Sequence, residues 1–334
     1  MEQSGTVCEQ HNKEGRTERS VANRETMSYL TAPLREVTLH HLKPDETVLT
    51  AIYAHHTILP ARGDWLWLTW YRQVHHPARA FVLTTQRALI LEDPTDPATS
   101  TADREYLFAS CSLNSVMFFV LRSHLLDCAL TLMIATPNGP ERVTIEYSGV
   151  SEHAFLAAVA CIRALVDGLP LPPSTRPDGT YTRERATALS GWHAVLDGLE
   201  LRQENSVTRY LVAGEHVQEW LSVPTIDESA WWQRLGIGAH EQPPAVLVRT
   251  DRQVLLVKEV RRIVRGQARY GSEAWLMPKT RLQAASVITG QRDEPEVQLT
   301  LEHVGVTDIV RLPILPKLAE RALALVMASL SVPE

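Results

Sequence analysis

The chain is poor in the residues that carry covalent and metal chemistry. It has four cysteines, Cys8, Cys111, Cys128 and Cys161, and no two of them form a Cys-x-x-Cys pair. That spacing gives neither a disulfide framework nor a cysteine zinc site, and it fits a reducing compartment. The glycine-rich dinucleotide and phosphate loops, His-Glu-x-x-His and Gly-x-Ser-x-Gly are all missing. Positive charge is not in excess either. Lys and Arg number 33 against 39 Asp and Glu, a net of −6, which argues against general nucleic-acid binding. Long apolar runs are lacking. The most apolar window, Val116 to Ala135, contains Arg122, His124 and Asp127. It falls short of the roughly 18 uninterrupted apolar residues of a membrane span. Residues 1–26 are polar and charged with no apolar centre, so no secretory leader is expected. These absences predict a cytoplasmic, non-catalytic protein with no cofactor and no metal.

What the chain does have is an internal echo, the first thing to seek because it governs the fold. Pro77-Ala-Arg-Ala-Phe-Val-Leu-Thr-Thr-Gln-Arg-Ala-Leu-Ile-Leu-Glu-Asp93 reads like Pro243-Pro-Ala-Val-Leu-Val-Arg-Thr-Asp-Arg-Gln-Val-Leu-Leu-Val-Lys-Glu259. Matching Arg87 with Arg252 and Thr85 with Thr250 gives an offset of 165 (252 − 87). Trp65 and Trp231 recur at nearly the same distance, as do the apolar segments starting near Phe155 and Ala319. The 334 residues are also long enough for two domains at roughly 100 to 200 residues each.

The expected organisation follows. Residues 1–30 read as a disordered leader, being rich in Glu, Arg, Asn, Thr and Ser, with Met27 as an alternative start. Residues 34–168 read as a first domain, 169–205 as a Pro-rich linker with a short helix from Arg183 to Leu196, and 206–331 as a second domain. In the first domain, Phe81-Val-Leu and Ala88-Leu-Ile-Leu flank a turn. Leu130 to Ile134 and Arg142 to Tyr147 read as strands around Pro137-Asn-Gly-Pro140. A helix capped by Ser151 then places Phe155, Val159, Ile162 and Val166 on one face and stops at Asp167-Gly168. The second half repeats this with Val246-Leu-Val, Val254-Leu-Leu-Val, Trp275-Leu-Met, Val297 to Leu301, Asp308 to Leu312, and a helix through Ala319, Leu323, Val326 and Leu330.

Short strands closed by one amphipathic helix, with Leu247-Val-Arg-Thr250-Asp-Arg252-Gln-Val-Leu followed by Trp275-Leu-Met-Pro278-Lys-Thr-Arg281-Leu282, resemble bacterial pleckstrin-homology-like (PH-like) domains. The first copy keeps Thr85, Arg87 and Tyr106-Leu-Phe, but has Ala109 and Ser112 where Pro278 and Arg281 stand. The resemblance implies a mainly β, α+β fold. It implies two bent β-sandwich or barrel domains, each closed by a C-terminal amphipathic helix, and a tandem binding module.

Three features bear on function. Lys258, Arg261, Arg262, Arg265 and Arg269 follow the second hairpin arm with only Glu259 against them. The matching stretch of the first copy holds Glu92, Asp93, Asp96, Asp103 and Glu105 against Arg104. A basic loop of this kind can meet anionic membrane or phosphate, or face the acidic loop. Trp65, Trp67, Trp70 and Tyr71, with Trp231 and Trp232, occupy the same place in both copies. They suit a partner or membrane interface, or packing as a strand covered on both faces. The pairs His40-His41, His55-His56 and His75-His76 raise a rival reading, a metal-dependent hydrolase. Adjacent strand residues point to opposite faces, however, so no pair serves one metal. Arg87 and Arg252 read as braces for a neighbouring strand beside a threonine-closed turn. The sequence thus predicts a binding or scaffolding protein with a protein partner or homo-oligomer. Anionic membrane is an alternative partner, and nucleic acid is not expected.

Overall fold

The computed structural model of the chain describes residues 22–55, 57–65, 68–96, 106–124, 127–172, 180–225, 243–264, 267–290 and 295–330. Strand outweighs helix and the strands pair antiparallel, which gives the mainly β, α+β class. The sheets end in open edges, so no barrel closes among the described residues. Two compact units form. One joins Met1–Asn114 to Ile145–Pro177, the other joins Ser115–Thr144 to Asp178–Glu334.

In the first unit, β1 (Val48–Ala54), β4 (Arg79–Thr84), β5 (Arg87–Glu92) and β6 (Leu107–Ser112) make a four-stranded sheet in that order. Strands β2 (Thr57–Trp65) and β3 (Leu68–His76) pair only with each other among the described residues. Every position of β4 is buried, because both faces of the sheet are covered. On one face Ala80, Val82, Leu89 and Leu91 pack with Met27 and Leu30, which follow a helical turn at 22–26, and with Leu34 of helix α1 (Ala32–His41). Residues 22–30 are therefore folded rather than leader. On the other face Phe81 lies 5.7 Å from the ring of Phe155, which stacks on Tyr147 at 3.9 Å. Phe155 belongs to helix α2 (Glu152–Val166), and Val159 and Ile162 of the same face are buried with it. The side-chain cap before this helix is Ser148, which accepts the Val150 amide; Ser151 makes none. The stretch Gly149–Val166 is long and apolar enough to cross a membrane by length and composition. Here its apolar face forms the core of the unit.

The second unit carries a seven-stranded sheet in the order β10 (Val217–Val223), β11 (Ala245–Thr250), β12 (Gln253–Val264), β13 (Gln267–Pro278), β7 (Val116–His124), β8 (Asp127–Thr136), β9 (Gly139–Ser148), where β9 belongs to it only up to Thr144 and its last four residues, Ile145–Ser148, belong to the first unit. A three-stranded sheet follows, β14 (Leu282–Thr289), β15 (Pro295–His303) and β16 (Val306–Pro313), then helix α5 (Pro316–Leu330). One core joins Phe118, Leu256, Met277, Leu299, Leu312 and Leu325. Helices α3 (Thr180–Val195) and α4 (Leu201–Thr208) precede the sheet. Trp192 docks within this unit, its indole N–H donating to the Glu215 carbonyl at 2.8 Å.

The element order occurs twice, and individual hydrogen bonds recur with it. The Thr84 hydroxyl accepts the amides of Gln86 and Arg87 and donates to the Arg87 carbonyl. The Thr250 hydroxyl does the same with Arg252 and Gln253. The structural offset is thus 166 (250 − 84), one more than side-chain similarity gives. Arg87 corresponds to Gln253, Ser112 to Pro278 and Ala109 to Trp275, as the β5–β6 and β12–β13 registers show. Buried Glu46 accepts the Lys43 amide as buried Glu215 accepts that of Val212, at an offset of 169 (215 − 46). Asn23 donates to the Glu46 carbonyl as Trp192 does to that of Glu215. The repeat therefore starts with a helix pair, and α3 and α4 are the second copy of it. The expected linker 169–205 contains α3 and the start of α4.

The units do not follow the repeats. Strand β13 pairs with β7 from Ser272↔Ser123 to Leu276↔Phe119. The β7–β8 hairpin of the first repeat is thereby built into the second unit, so the compact units cross the expected boundaries 34–168 and 206–331. Gly271 sits at the start of this junction. A Cβ there would lie 2.3 Å from the Ser123 carbonyl oxygen and 2.6 Å from His124 Nδ1. Gly271→Ala is expected to destabilise the second unit by about 1–3 kcal/mol, the range for overpacking. A thermal melt superimposable on wild type would show that the junction has room.

Candidate functional site

The basic segment is a ribbon, not a loop. Strand β11 pairs with β12 only between Ala245↔Lys258 and Arg249↔Val254, and β7 joins β13 only from Ser272 onward. From Val260↔Gly271 to Val264↔Gln267 the two strands pair with each other alone among the described residues. Val260, Ile263 and Val264 favour a pleated ribbon here over a coil. Side chains alternate along a strand, so the register sets positions 258, 262, 269 and 273 on one face and 261 and 270 on the other. The basic cluster is divided accordingly. Lys258, Arg262 and Arg269 share a face, Arg261 falls on the opposite one, and Arg265 lies outside the described residues.

At the base of this face stands a packed polar row. The Lys258 ammonium lies 5.2 Å from the centre of the Trp275 ring. The Trp275 indole donates to Glu273 Oε1 at 2.7 Å, and Phe118 stacks on the indole at 5.8 Å. Burial pulls the Lys258 pKa below its ordinary value, and the Glu273 carboxylate works against that shift. Lys258 and Glu273 are register partners, as are Glu273 and Arg122, so charges alternate in sign across three strands. Glu273 was not among the residues that the sequence singled out, and Trp275 figured there only as the start of a strand. Their two-residue spacing on an apolar strand is the signal that places them on one face.

The aromatic and acidic features resolve differently. Trp65 ends β2 as the register partner of Leu68. Strands β2 and β3 pair antiparallel, so Trp65 and Tyr71 lie on two different strands rather than on one two-sided strand. Trp67, Trp231 and Trp232 lie outside the described residues. The carboxylates facing the basic segment in the sequence comparison are largely structural. Glu92 pairs with Arg79 at 2.9 Å, and Asp96 accepts the Ala78 amide at 2.7 Å. Buried Asp93 accepts the Tyr53 hydroxyl at 3.0 Å together with Thr95. Burial and this carboxylate push the Tyr53 hydroxyl up to about 12. Asp103 and Glu105 lie outside the described residues.

Arg87 is a brace. It reaches Glu46 at 2.6 Å and the His41 carbonyl at 2.5 Å. Arg252 reaches the Gly214 carbonyl at 3.2 Å. The rings of His40 and His41 meet edge to face, and His55 sets its edge against Tyr53. His75 and His76 lie on β3 opposite Ile58 and Thr57, and His56 is outside the described residues. Among the described residues no three His, Cys, Asp or Glu side chains gather as a metal group.

Compared with protein families and with curated proteins, the chain finds no match in either.

Proposed function

We propose that the chain is a cytoplasmic, non-catalytic binding or scaffolding protein built from two PH-like modules, with the β12–β13 ribbon as its contact surface. A four-stranded run (β1, β4, β5 and β6, with the β2–β3 ribbon inserted, in the first repeat; β10 to β13 in the second), then three strands and a closing helix, supports the PH-like part of this reading. One observation carries the binding part. Arg262 and Arg269 are direct cross-strand partners on a ribbon with no neighbouring strand among the described residues. Like charges so placed destabilise a pair, and an anionic partner relieves them. The partner is then an acidic protein surface or an anionic membrane. Trp65 at the end of β2 favours the second, because tryptophan suits a membrane interface.

Vesicle sedimentation separates these. Each basic residue near an acidic bilayer contributes about 1 kcal/mol. R262S/R269S should therefore lower affinity for phosphatidylserine vesicles by roughly 30-fold, and salt should weaken wild-type binding. Lys258 is packed on Trp275, so K258S should change stability more than binding. If wild type ignores acidic vesicles but retains salt-sensitive binding to polyglutamate, the partner is a protein. Binding to neither at low salt removes the reading.

A further inference from the structure

We propose that the corner where Gln218, Arg249 and Lys279 meet is a binding site for a phosphate-sized oxyanion. It lies at the far end of β12 and β13 from the basic ribbon, beside Gln253↔Pro278 rather than Val264↔Gln267. The site is therefore separate from the ribbon and does not rest on it.

The duplication shows what stands at this corner in the other repeat. Gln218 is the bulge residue of β10, as Leu49 is of β1. Arg249 is the register partner of Glu219, as Leu83 is of Thr50. Lys279 opens a 3-10 turn and donates its amide to the Arg252 carbonyl. Leu113 opens one too and donates to the Gln86 carbonyl. Three leucines thus hold the places of the glutamine, the arginine and the lysine. Leu83 and Leu113 are 0% and 3% exposed. The three polar residues come from three separate elements, and their side chains still meet. A stray surface substitution would alter one of these places. Replacement of all three turns an apolar corner into a polar cluster.

The cluster is short of negative charge. Gln218 Oε1 accepts from Arg249 Nη1 at 2.7 Å and from Lys279 Nζ at 3.3 Å. Two cations converge on one neutral oxygen, which neutralises neither. Burial pulls the Lys279 pKa below its ordinary value, the Arg249 charge lowers it further, and the Asp251 carboxylate opposes both. Glu219 reaches Arg249 only at 3.4 Å. Asp251 is shared, taking the His216 amide and lying 3.8 Å from Arg252 Nε. Arg249 Nε has no hydrogen-bond partner among the described residues. An oxyanion in place of the amide oxygen neutralises both cations and accepts charge-assisted bonds from each. The guanidinium fork and the ammonium together suit a phosphate group. Gln218 is exposed and Arg249 partly so, which leaves the corner open to an ion.

Calorimetric titration of the full chain with inorganic phosphate at low salt tests the proposal. Wild type should bind one phosphate per chain. R249L and K279L each install the residue of the first repeat, so their melts should stay close to wild type. Each should weaken phosphate binding about 10-fold or more, the loss of a charge-assisted bond. R262S/R269S should leave it unchanged, so failure of the ribbon reading and failure of this one are read separately. Sedimentation with phosphatidic acid vesicles separates the two sources of the group. Binding of inorganic phosphate assigns a soluble ligand. Binding of the vesicles alone, lost in R249L, assigns a lipid headgroup. On wild type the bound probe should also protect Lys279 from acylation, read by peptide mass spectrometry, which needs no variant. The proposal is overturned if wild type binds neither probe, if both leucine variants keep full binding, or if Lys279 is acylated equally with the probe bound.

Discussion

Arg87→Met is expected to cost the first unit about 3–5 kcal/mol, the penalty for removing one partner of a buried ion pair. The Glu46 side chain is fully buried and its only basic partner among the described residues is Arg87, at 2.6 Å. Methionine fills much of the same volume, so the loss is electrostatic rather than a cavity. Glu46 would keep the Lys43 amide but carry a buried charge without its counterion. Arg87 also holds the His41 carbonyl at the end of α1, so the helix pair loosens with it. The second repeat provides the control. Gln253 occupies the place of Arg87, and its side-chain amide atoms are buried without hydrogen-bond partners. Gln253→Met removes unsatisfied polar atoms and should be near neutral or stabilising. Denaturant unfolding of the two variants checks both signs. Equal losses in both would show that the ion pair is not what distinguishes the repeats.

Phe155→Ala should cost a further about 3–5 kcal/mol, the range for truncating a buried aromatic ring. Phe155 is 0% exposed and joins α2 to Phe81 of β4 and Tyr147 of β9. Removing it deletes a stacked pair as well as apolar area. The structural counterpart of Phe155 is Ala319, at an offset of 164, also buried. The second closing helix therefore reaches its core through smaller residues such as Ala322 and Leu325. A Phe155→Ala melt within error of wild type would mean that α2 does not hold the first unit together.

The duplication was legible because strand cores are restricted to the same few apolar residues. Its register was not. Thr84 and Thr85 are adjacent, and similarity favoured matching Thr85 and Arg87 with Thr250 and Arg252. The physical requirement is a hydroxyl where two turn amides converge, and Thr84 meets it. The helix pair at each start was hidden by composition. Asn23 and Trp192 do the same task with unlike side chains. Met27, Leu30 and Leu34 do keep helical spacing, and that signal was overridden by the charged residues between them. The basic residues were visible, but their division between two faces depends on where the hairpin turns. The exchanged hairpin had no local signal, since any open edge strand can pair with another.

The central claim is that the β7–β8 hairpin of the first repeat belongs structurally to the second unit. Native-state hydrogen exchange on Arg87→Met tests it most directly. Amides of β1, β4 and β5 should lose protection with the weakened first unit. Those of Val116–His124 and Asp127–Thr136 should stay protected alongside β12 and β13. If β7 and β8 instead open together with β4 and β5, the hairpin belongs to the first unit and the claim is contradicted.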